Sequence, residues 1–326
     1  MKRKKFSRWI LSILVLSVML ILALIIYVKQ FLPDVSLKDI TVEITPARIE
    51  RGKYLANHVM VCMDCHSTRD WTKFAGPLVP GTEGKGGERF DQAIGMPGVF
   101  ISPNITPFNL KHWTDAELYR VITSGVAKNN RPIFPVMPYL HYGKMDDEDI
   151  RSVIAYLRTL PEKESEVPAP QIDFPMNFIL HFIPAEAQPM PRPPKTDKVG
   201  YGEYLVNAAS CLDCHTPFEK GQLLIDQAFT GGREFTTPNG TLISPNITPD
   251  KQSGIGNWSK EMFVSRFRNF DPAVNGYQTI DEGAFNTIMP WTMYAGMDTT
   301  DLEAIYTYLT TLQPVEKQIT PFISKN

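Results

Sequence analysis

Two short segments constrain this chain more than any other feature: Cys62-Met63-Asp64-Cys65-His66 and Cys211-Leu212-Asp213-Cys214-His215. Between them they use all four cysteines. Each reads C-x-x-C-H, the attachment signature of c-type haem. The spacing follows from the chemistry. Two thiols three residues apart on one helical turn can each reach a vinyl group of the same porphyrin and form a thioether. The adjoining histidine is then held beneath the ring as an axial ligand to iron. Zinc ribbons place their C-x-x-C pairs about 15–20 residues apart, whereas Cys65 and Cys211 are 146 apart. A thioredoxin-like pair would sit in a βαβ pattern, and neither copy does. Disulfides suit an oxidising compartment but leave His66 and His215 without a role. The expectation is two covalently bound haem c groups.

The N-terminus sets the compartment. Lys2, Arg3, Lys4, Lys5 and Arg8 precede an uncharged apolar run from Trp9 to Val28. As a helix, those 20 residues span about 30 Å, the thickness of a bilayer core. The basic flank stays in the cytoplasm, so the rest of the chain is exported. The run exceeds the usual signal-peptide core, and Tyr27-Val28-Lys29-Gln30-Phe31 offers no small-residue cleavage site, so it reads as an uncleaved anchor. Residues 34–326 carry 27 basic and 35 acidic side chains, a balance that argues against a nucleic-acid partner.

The exported part repeats with a period near 150 residues. Arg51-Gly-Lys-Tyr-Leu-Ala-Asn57 answers Tyr201-Gly-Glu-Tyr-Leu-Val-Asn207, and Ile101-Ser-Pro-Asn-Ile-Thr-Pro107 recurs unchanged at 243–249. Met137-Pro138-Tyr139 matches Met289-Pro290-Trp291, and Ile154–Leu160 matches Ile305–Leu312 with one residue of slack. Repeats this long are tandem domains rather than solenoid units. The expected division is an anchor (1–33), a linker (34–45), repeats at 46–165 and 197–315 joined by a Pro-rich linker (166–196), and a tail (316–326).

The fold class is mostly α. Thr45 caps a helix with Pro46 at its first position, running into Cys62. Thr114-Asp-Ala-Glu117 is a capping box, and Gly125 ends that helix. A third helix begins at Asp146 and stops before Pro161. Strand signals are sparse, and the stretch from Gly76 to Phe100 is long for a loop in a compact domain built only from peptide; a buried haem would supply the missing core. Within the linker, the apolar segment Phe174–Ile183 is too short to span a bilayer. It is expected to pack against one or both repeats, with contact at a membrane surface as the other option.

Each iron needs a sixth ligand. Methionine suits a high-potential carrier, because a thioether raises the reduction potential. Met145 and Met297 precede Asp146 and Asp298 at the helix starts, with Ile150 and Leu302 at the matching fourth positions, the arrangement of a hydrophobic staple. Met293 reads as core filler. Met137 and Met289 sit in irregular sequence ahead of that helix, each followed by proline, at matching places in the two repeats. His141 stands where the second repeat has Met293 and is a rival ligand for the first iron. His58, His112 and His181 lack counterparts and read as surface or packing residues. Asn104 and Asn246, with Thr106 and Thr248, either hydrogen-bond near the propionates or build a turn.

With these motifs in hand, each repeat resembles a class I cytochrome c domain, and together they cover nearly all of residues 46–315. The pattern is similar to the cytochrome c subunits of membrane-bound bacterial alcohol, aldehyde and gluconate dehydrogenases. The resemblance implies ligation by His66 with Met137 and by His215 with Met289, beside Cys62, Cys65, Cys211 and Cys214. Those subunits commonly carry three haem domains, whereas this chain has two. The expected function is that of a membrane-anchored periplasmic electron carrier, not an enzyme. It would link a dehydrogenase or quinol-oxidising complex to another cytochrome or a terminal oxidase. The alternative is a dihaem oxidoreductase such as a peroxidase or thiosulfate dehydrogenase. Peroxidase chemistry needs an open or releasable sixth position, and the paired methionines weigh against one.

Overall fold

The computed structural model describes residues 2–281 and 283–325. The side chains of Lys2, Arg3, Lys4 and Lys5, the basic flank of the expected anchor, lie outside the described residues, as does Asn326 at the end of the expected tail. Helix α1 (Lys2–Phe31) contains a stretch, Arg8–Phe31, long and apolar enough to cross a membrane. A signal sequence has the same character. Its apolar side chains from Trp9 to Tyr27 are exposed, but Val28 in the last turn is only 1% exposed.

Helix is the commonest regular state among the remaining residues, and it occurs in matched sets. The first repeat contributes α2 (Pro46–Tyr54), α3 (Asp115–Ser124) and α4 (Asp147–Thr159). The second contributes α5 (Lys198–Ala208), α6 (Lys260–Arg268) and α7 (Thr299–Leu309). Thr45 Oγ1 accepts from the Arg48 amide at 3.3 Å and the Asp146 carboxylate from the Glu148 amide at 2.8 Å, whereas Asp298 starts α7 without a side-chain cap bond. Thr114 and Glu117 complete a reciprocal capping box, and Gly125 closes α3 in the left-handed region.

The first and last helices of each repeat cross at a glycine. A Cβ on Gly52 of α2 would stand 1.9 Å from the Ser152 carbonyl oxygen of α4, and one on Gly202 of α5 would stand 2.0 Å from that of Ala304 in α7. Only hydrogen fits between backbones this close. The apolar core around these crossings is continuous through both repeats, with Leu55, Ile150 and Ile154 joined to Leu205 and Leu302, all fully buried.

Strands are short and were not expected. In the first repeat, β1 (Arg89–Phe90) pairs antiparallel with β2 (Gly98–Ile101), and β2 pairs with β3 (Gln171–Ile172). In the second, β4 (Glu234–Thr237), β5 (Gly240–Ile243) and β6 (Phe322–Ser324) form the same three-stranded arrangement. The third strand thus comes from the expected linker in one case and the expected tail in the other. Two to four residues are too few to show an alternating pattern, and the partner is supplied from a distant part of the chain.

One difference between the repeats is a single inserted residue. Asn57 to Cys62 spans five positions, and Asn207 to Cys211 spans four. The extra residue is absorbed in a π-helical turn at Leu55–Val59, where the Met60 amide reaches back five residues to the Leu55 carbonyl at 2.8 Å. Such turns are the usual way a helix accommodates an insertion.

The repeats meet about a pseudo-twofold axis. Tyr54 Oη donates to Asp301 Oδ2 at 2.8 Å and accepts from the Asp298 amide at 3.0 Å. Its counterpart Tyr204 donates to Asp149 Oδ2 at 2.6 Å and accepts from the Asp146 amide at 3.3 Å. Each buried aspartate also binds a group from its own repeat, Arg51 or Tyr201, and a cation from the linker, Arg192 or Lys195. A second junction lies at Thr72–Ala75: the Phe74 amide donates to Gln278 O at 2.8 Å, and its ring stacks on Phe270 at 5.3 Å.

Candidate functional site

Both C-x-x-C-H segments are built alike. The chain leaves its helix through one residue of positive φ, Val61 at 47° or Ser210 at 53°, and enters a short helical turn, Cys62–Cys65 or Cys211–His215. A β-branched residue rarely adopts that conformation, so the surrounding packing must impose it on Val61. The result places the two thiols on one turn, with the histidine at its end.

Each histidine is then fixed by the repeated Ile-Ser-Pro-Asn-Ile-Thr-Pro segment. His66 Nδ1 donates to the Pro103 carbonyl at 2.8 Å, and His215 Nδ1 donates to the Pro245 carbonyl at 2.9 Å. That bond selects the tautomer and leaves the Nε2 lone pair for a metal. Burial lowers the pKa of both rings, partly opposed by the proline carbonyls, so both are neutral at neutral pH. The histidine carbonyls accept from the amides of Gly86 and Gly231 at 2.9 and 2.8 Å. Both glycines have positive φ, and a Cβ on either would lie within 2.5 Å of the Ser102 or Ser244 carbonyl oxygen.

The asparagines of this segment build a turn. Asn104 Oδ1 accepts from the amide and hydroxyl of Thr106 at 2.8 and 2.7 Å, and its Nδ2 donates to the Lys163 carbonyl at 2.7 Å. Asn246 does the same with Thr248 and with the Val315 carbonyl. The segment contributes to the site its proline carbonyl and, in the first repeat, the Ser102 hydroxyl, which donates to the Cys65 carbonyl at 2.5 Å; sequence reasoning missed both, although the unchanged recurrence of seven residues was the signal for them.

Burial pushes Cys62, Cys65 and Cys211 up to about 12 and Cys214 up to about 11. Cys62, Cys65 and Cys211 nonetheless keep partial solvent exposure and Cys214 is exposed. Among the described residues no three His, Cys, Asp or Glu side chains gather into a metal centre of their own. The donor set at each motif, two thiols and an oriented neutral imidazole, fits covalent haem.

Met137 and Met289 have one geometry. Each carbonyl accepts from the amide two residues on, at 2.8 and 2.7 Å, ahead of a short helical turn. Both lie at the partly exposed margin of the core, as do Cys62 and Cys211. Met145 and Met297 are fully buried beside the caps of α4 and α7, and Met293 is buried in the core. His141 has both ring nitrogens engaged across the interface, Nδ1 with Asn207 Oδ1 at 3.0 Å and Nε2 with Asp213 Oδ1 at 2.9 Å. The rival for the first iron therefore has no free nitrogen. His58, read as an ordinary packing residue, also works across the interface. It is part of the π-turn, and its Nδ1 donates to the Met293 carbonyl at 2.9 Å.

Two further residues escaped sequence reasoning. Tyr142 Oη donates to the Met60 carbonyl and Tyr294 Oη to the Ala209 carbonyl, both at 2.9 Å. Burial holds both phenols well above their ordinary value, reinforced by the neighbouring thiols. Beside them, His141 and His58 carry hydrogen bonds from the first repeat to the second.

No family model matches the chain. An alcohol dehydrogenase (quinone) cytochrome c subunit of Gluconacetobacter polyoxogenes is 28% identical over 291 residues, covering 82% of this chain and 57% of that protein. A fructose dehydrogenase cytochrome subunit of Gluconobacter japonicus is 30% identical over 228 residues, 65% of this chain and 43% of that protein. A dihaem cytochrome c-type protein of Cereibacter sphaeroides is 28% identical over 204 residues, 58% of this chain and 64% of that protein. The chain spans about half the length of the dehydrogenase subunits it matches. These homologues include cytochrome c proteins, which agrees with covalently bound haem.

Proposed function

We propose that this chain, a homologue of cytochrome c subunits, is a membrane-anchored dihaem cytochrome c. It passes electrons between a dehydrogenase or quinol-oxidising complex and a downstream cytochrome or terminal oxidase. Two cytochrome c domains, residues 46–165 and 197–315, each carry one haem c. Cys62 and Cys65 would tether the first, with His66 and Met137 to hold its iron; Cys211 and Cys214 would tether the second, with His215 and Met289. The haem domains stand on the periplasmic side, because the basic flank of α1 stays in the cytoplasm.

The observation that carries this reading is the duplicated bond from a histidine Nδ1 to a proline carbonyl beside two thiols, 2.8 and 2.9 Å long. Haem bound at each motif would supply a one-electron couple. The chain's residues do the rest. The thiols fix the macrocycle, the proline carbonyl orients the imidazole, and the methionine sulfur raises the potential. Tyr142 and Tyr294, buried beside their motifs, help keep water away. No bond to a substrate is made or broken.

A spectroscopic redox titration of the haem-loaded full chain tests this. Two haems per chain are expected, each with a sulfur-to-iron charge-transfer band when oxidised. Met137→Ala and Met289→Ala should each abolish that band at one site and lower the potential of that site. If neither substitution disturbs either iron, methionine ligation is wrong. Rapid peroxide turnover by the unmodified protein would favour an enzyme instead.

A further inference from the structure

The segment expected to pack against the repeats does so only in part. Leu180 is fully buried and Met176, Phe178 and Ile183 are half-buried, but Phe174 is 85% exposed, Ile179 43% and Phe182 57%. The rings of Phe178 and Phe182 lie tilted to one another with centroids 5.7 Å apart. From Phe174 to Ala185 the sequence contains no formal charge. Both ends are pinned to the first repeat. Asp173 N donates to Pro97 O at 3.0 Å behind strand β3, and Gln188 N donates to Gly143 O at 2.8 Å. The residues between them form two short helical turns, Met176–Ile179 and Leu180–Phe182, anchored by buried Leu180 and presenting Phe174, Ile179 and Phe182 to the outside.

What covers this patch is indicated by its neighbour. The amide and hydroxyl of Ser36 donate to Glu186 Oε1 at 2.7 and 2.8 Å. Ser36 is five residues beyond the end of α1, and Glu186 four beyond Phe182. At about 3.5 Å per residue, both Phe182 and the last residue of α1 lie within about 18 Å of that bond. Val28, in the last turn of α1, is 1% exposed, so protein outside α1 packs onto the end of the apolar helix itself. Val28, Val35 and Leu180 are all buried, yet none belongs to the main core. The apolar segment and the end of the apolar helix are thus both tethered within a short reach of the Ser36–Glu186 bond.

Building on the anchor reading above, we infer that the loop Phe174–Ile183 is a second membrane contact, inserting Phe174, Ile179 and Phe182 into the interface beside α1. Uncharged apolar insertion of this kind depends on buried area and not on anionic lipid. A single spanning helix leaves the exported part free to swivel. A second contact removes that freedom and fixes which face of the first repeat is turned toward partners in the membrane.

The test uses the haem-loaded full chain in vesicles of zwitterionic phosphatidylcholine. The native thiols are consumed as thioethers, so one introduced cysteine takes a nitroxide label uniquely. Labels are placed through Phe174→Cys, Phe182→Cys, Leu20→Cys in α1 and Val274→Cys, which replaces a side chain 75% exposed in the second repeat. With the irons reduced, accessibility to oxygen is compared with accessibility to a water-soluble nickel chelate. The labels at 174 and 182 should favour oxygen, as the label at 20 does, and the label at 274 should favour nickel. Immersion at 20 with aqueous behaviour at 174 and 182 overturns the second contact and leaves the anchor standing. Aqueous behaviour at 20 removes the anchor and this inference with it. Spin–spin broadening at 182 that vanishes on dilution with unlabelled protein would assign the patch to a second copy and overturn the lipid contact.

Discussion

Gly52→Ala and Gly202→Ala set two opposed effects against each other. Alanine is the better helix former, so the change alone would stabilise a helix interior by about 1 kcal/mol. The crossings oppose it. At Gly52 the new Cβ would lie 1.9 Å from the Ser152 carbonyl oxygen and 2.8 Å from the Tyr156 Cβ. At Gly202 the corresponding separations are 2.0 Å from Ala304 O and 2.9 Å from the Tyr308 Cβ. A comfortable carbon–oxygen contact is about 3.3 Å, so α2 must retreat from α4 by roughly 1.4 Å. The obstacle is backbone in mid-helix, which has no rotamer to change. Retreat also loosens Leu55, Ile150 and Ile154, which are fully buried at this contact. Overpacking costs about 1–3 kcal/mol, and the remaining strain after the propensity gain is a net loss of up to about 2 kcal/mol. Guanidinium unfolding of the haem-loaded protein, followed by far-ultraviolet circular dichroism, should show a lower midpoint for both variants. Gly200→Ala is the control, because its nearest neighbour is the movable Asp197 carboxylate at 2.4 Å. A raised midpoint for Gly52→Ala and Gly202→Ala would show that propensity governs and would refute the close-crossing account.

Two other predictions concern the interface. Burial would raise Asp149, but Arg51, Tyr204 and Arg192 overcome it and hold the carboxyl below its ordinary value. Its stabilisation is complete above the unfolded carboxylate pKa and is lost as pH falls through the lower folded one. Asp149→Asn should therefore cost about 3 kcal/mol near neutrality, and the gap to the unmodified protein should close below about pH 4; a gap that persists in acid would mean the charge contributes nothing. His141→Ala should leave the axial-ligand spectrum of both irons unchanged, because both ring nitrogens serve Asn207 and Asp213. It should also lower the unfolding free energy by about 1 kcal/mol, since those half-buried partners lose their bonds. A changed ligand spectrum at the first iron would restore His141 as a ligand.

Features governed by a few consecutive residues were legible before the fold was known. The capping box at Thr114 and Glu117, the proline start of α2 and the glycine stop after α3 all form as their local chemistry requires. The staple positions of Met145 and Met297 are filled by fully buried side chains. Long-range pairings were not legible. The strands β3 and β6 fold back onto hairpins far earlier in the chain, and the partly exposed Phe174–Ile183 segment has a composition that would equally suit a buried one. The tyrosines Tyr54 and Tyr204 lie in an obvious repeat, but nothing in their neighbours says that each serves the other repeat's aspartate.

By itself the sequence determined the duplication, the paired thiols with their histidines, and an apolar helix at the N-terminus. These are properties of composition and spacing, which survive without any knowledge of what lies opposite. Tertiary structure alone decided which carbonyl orients each imidazole, that His141 is occupied by the second repeat, and that Tyr54 and Tyr204 each bond to the other repeat's aspartate. Those outcomes depend on hydrogen-bond directions between segments tens of residues apart, and a directional bond has no partner until the chain has closed around it.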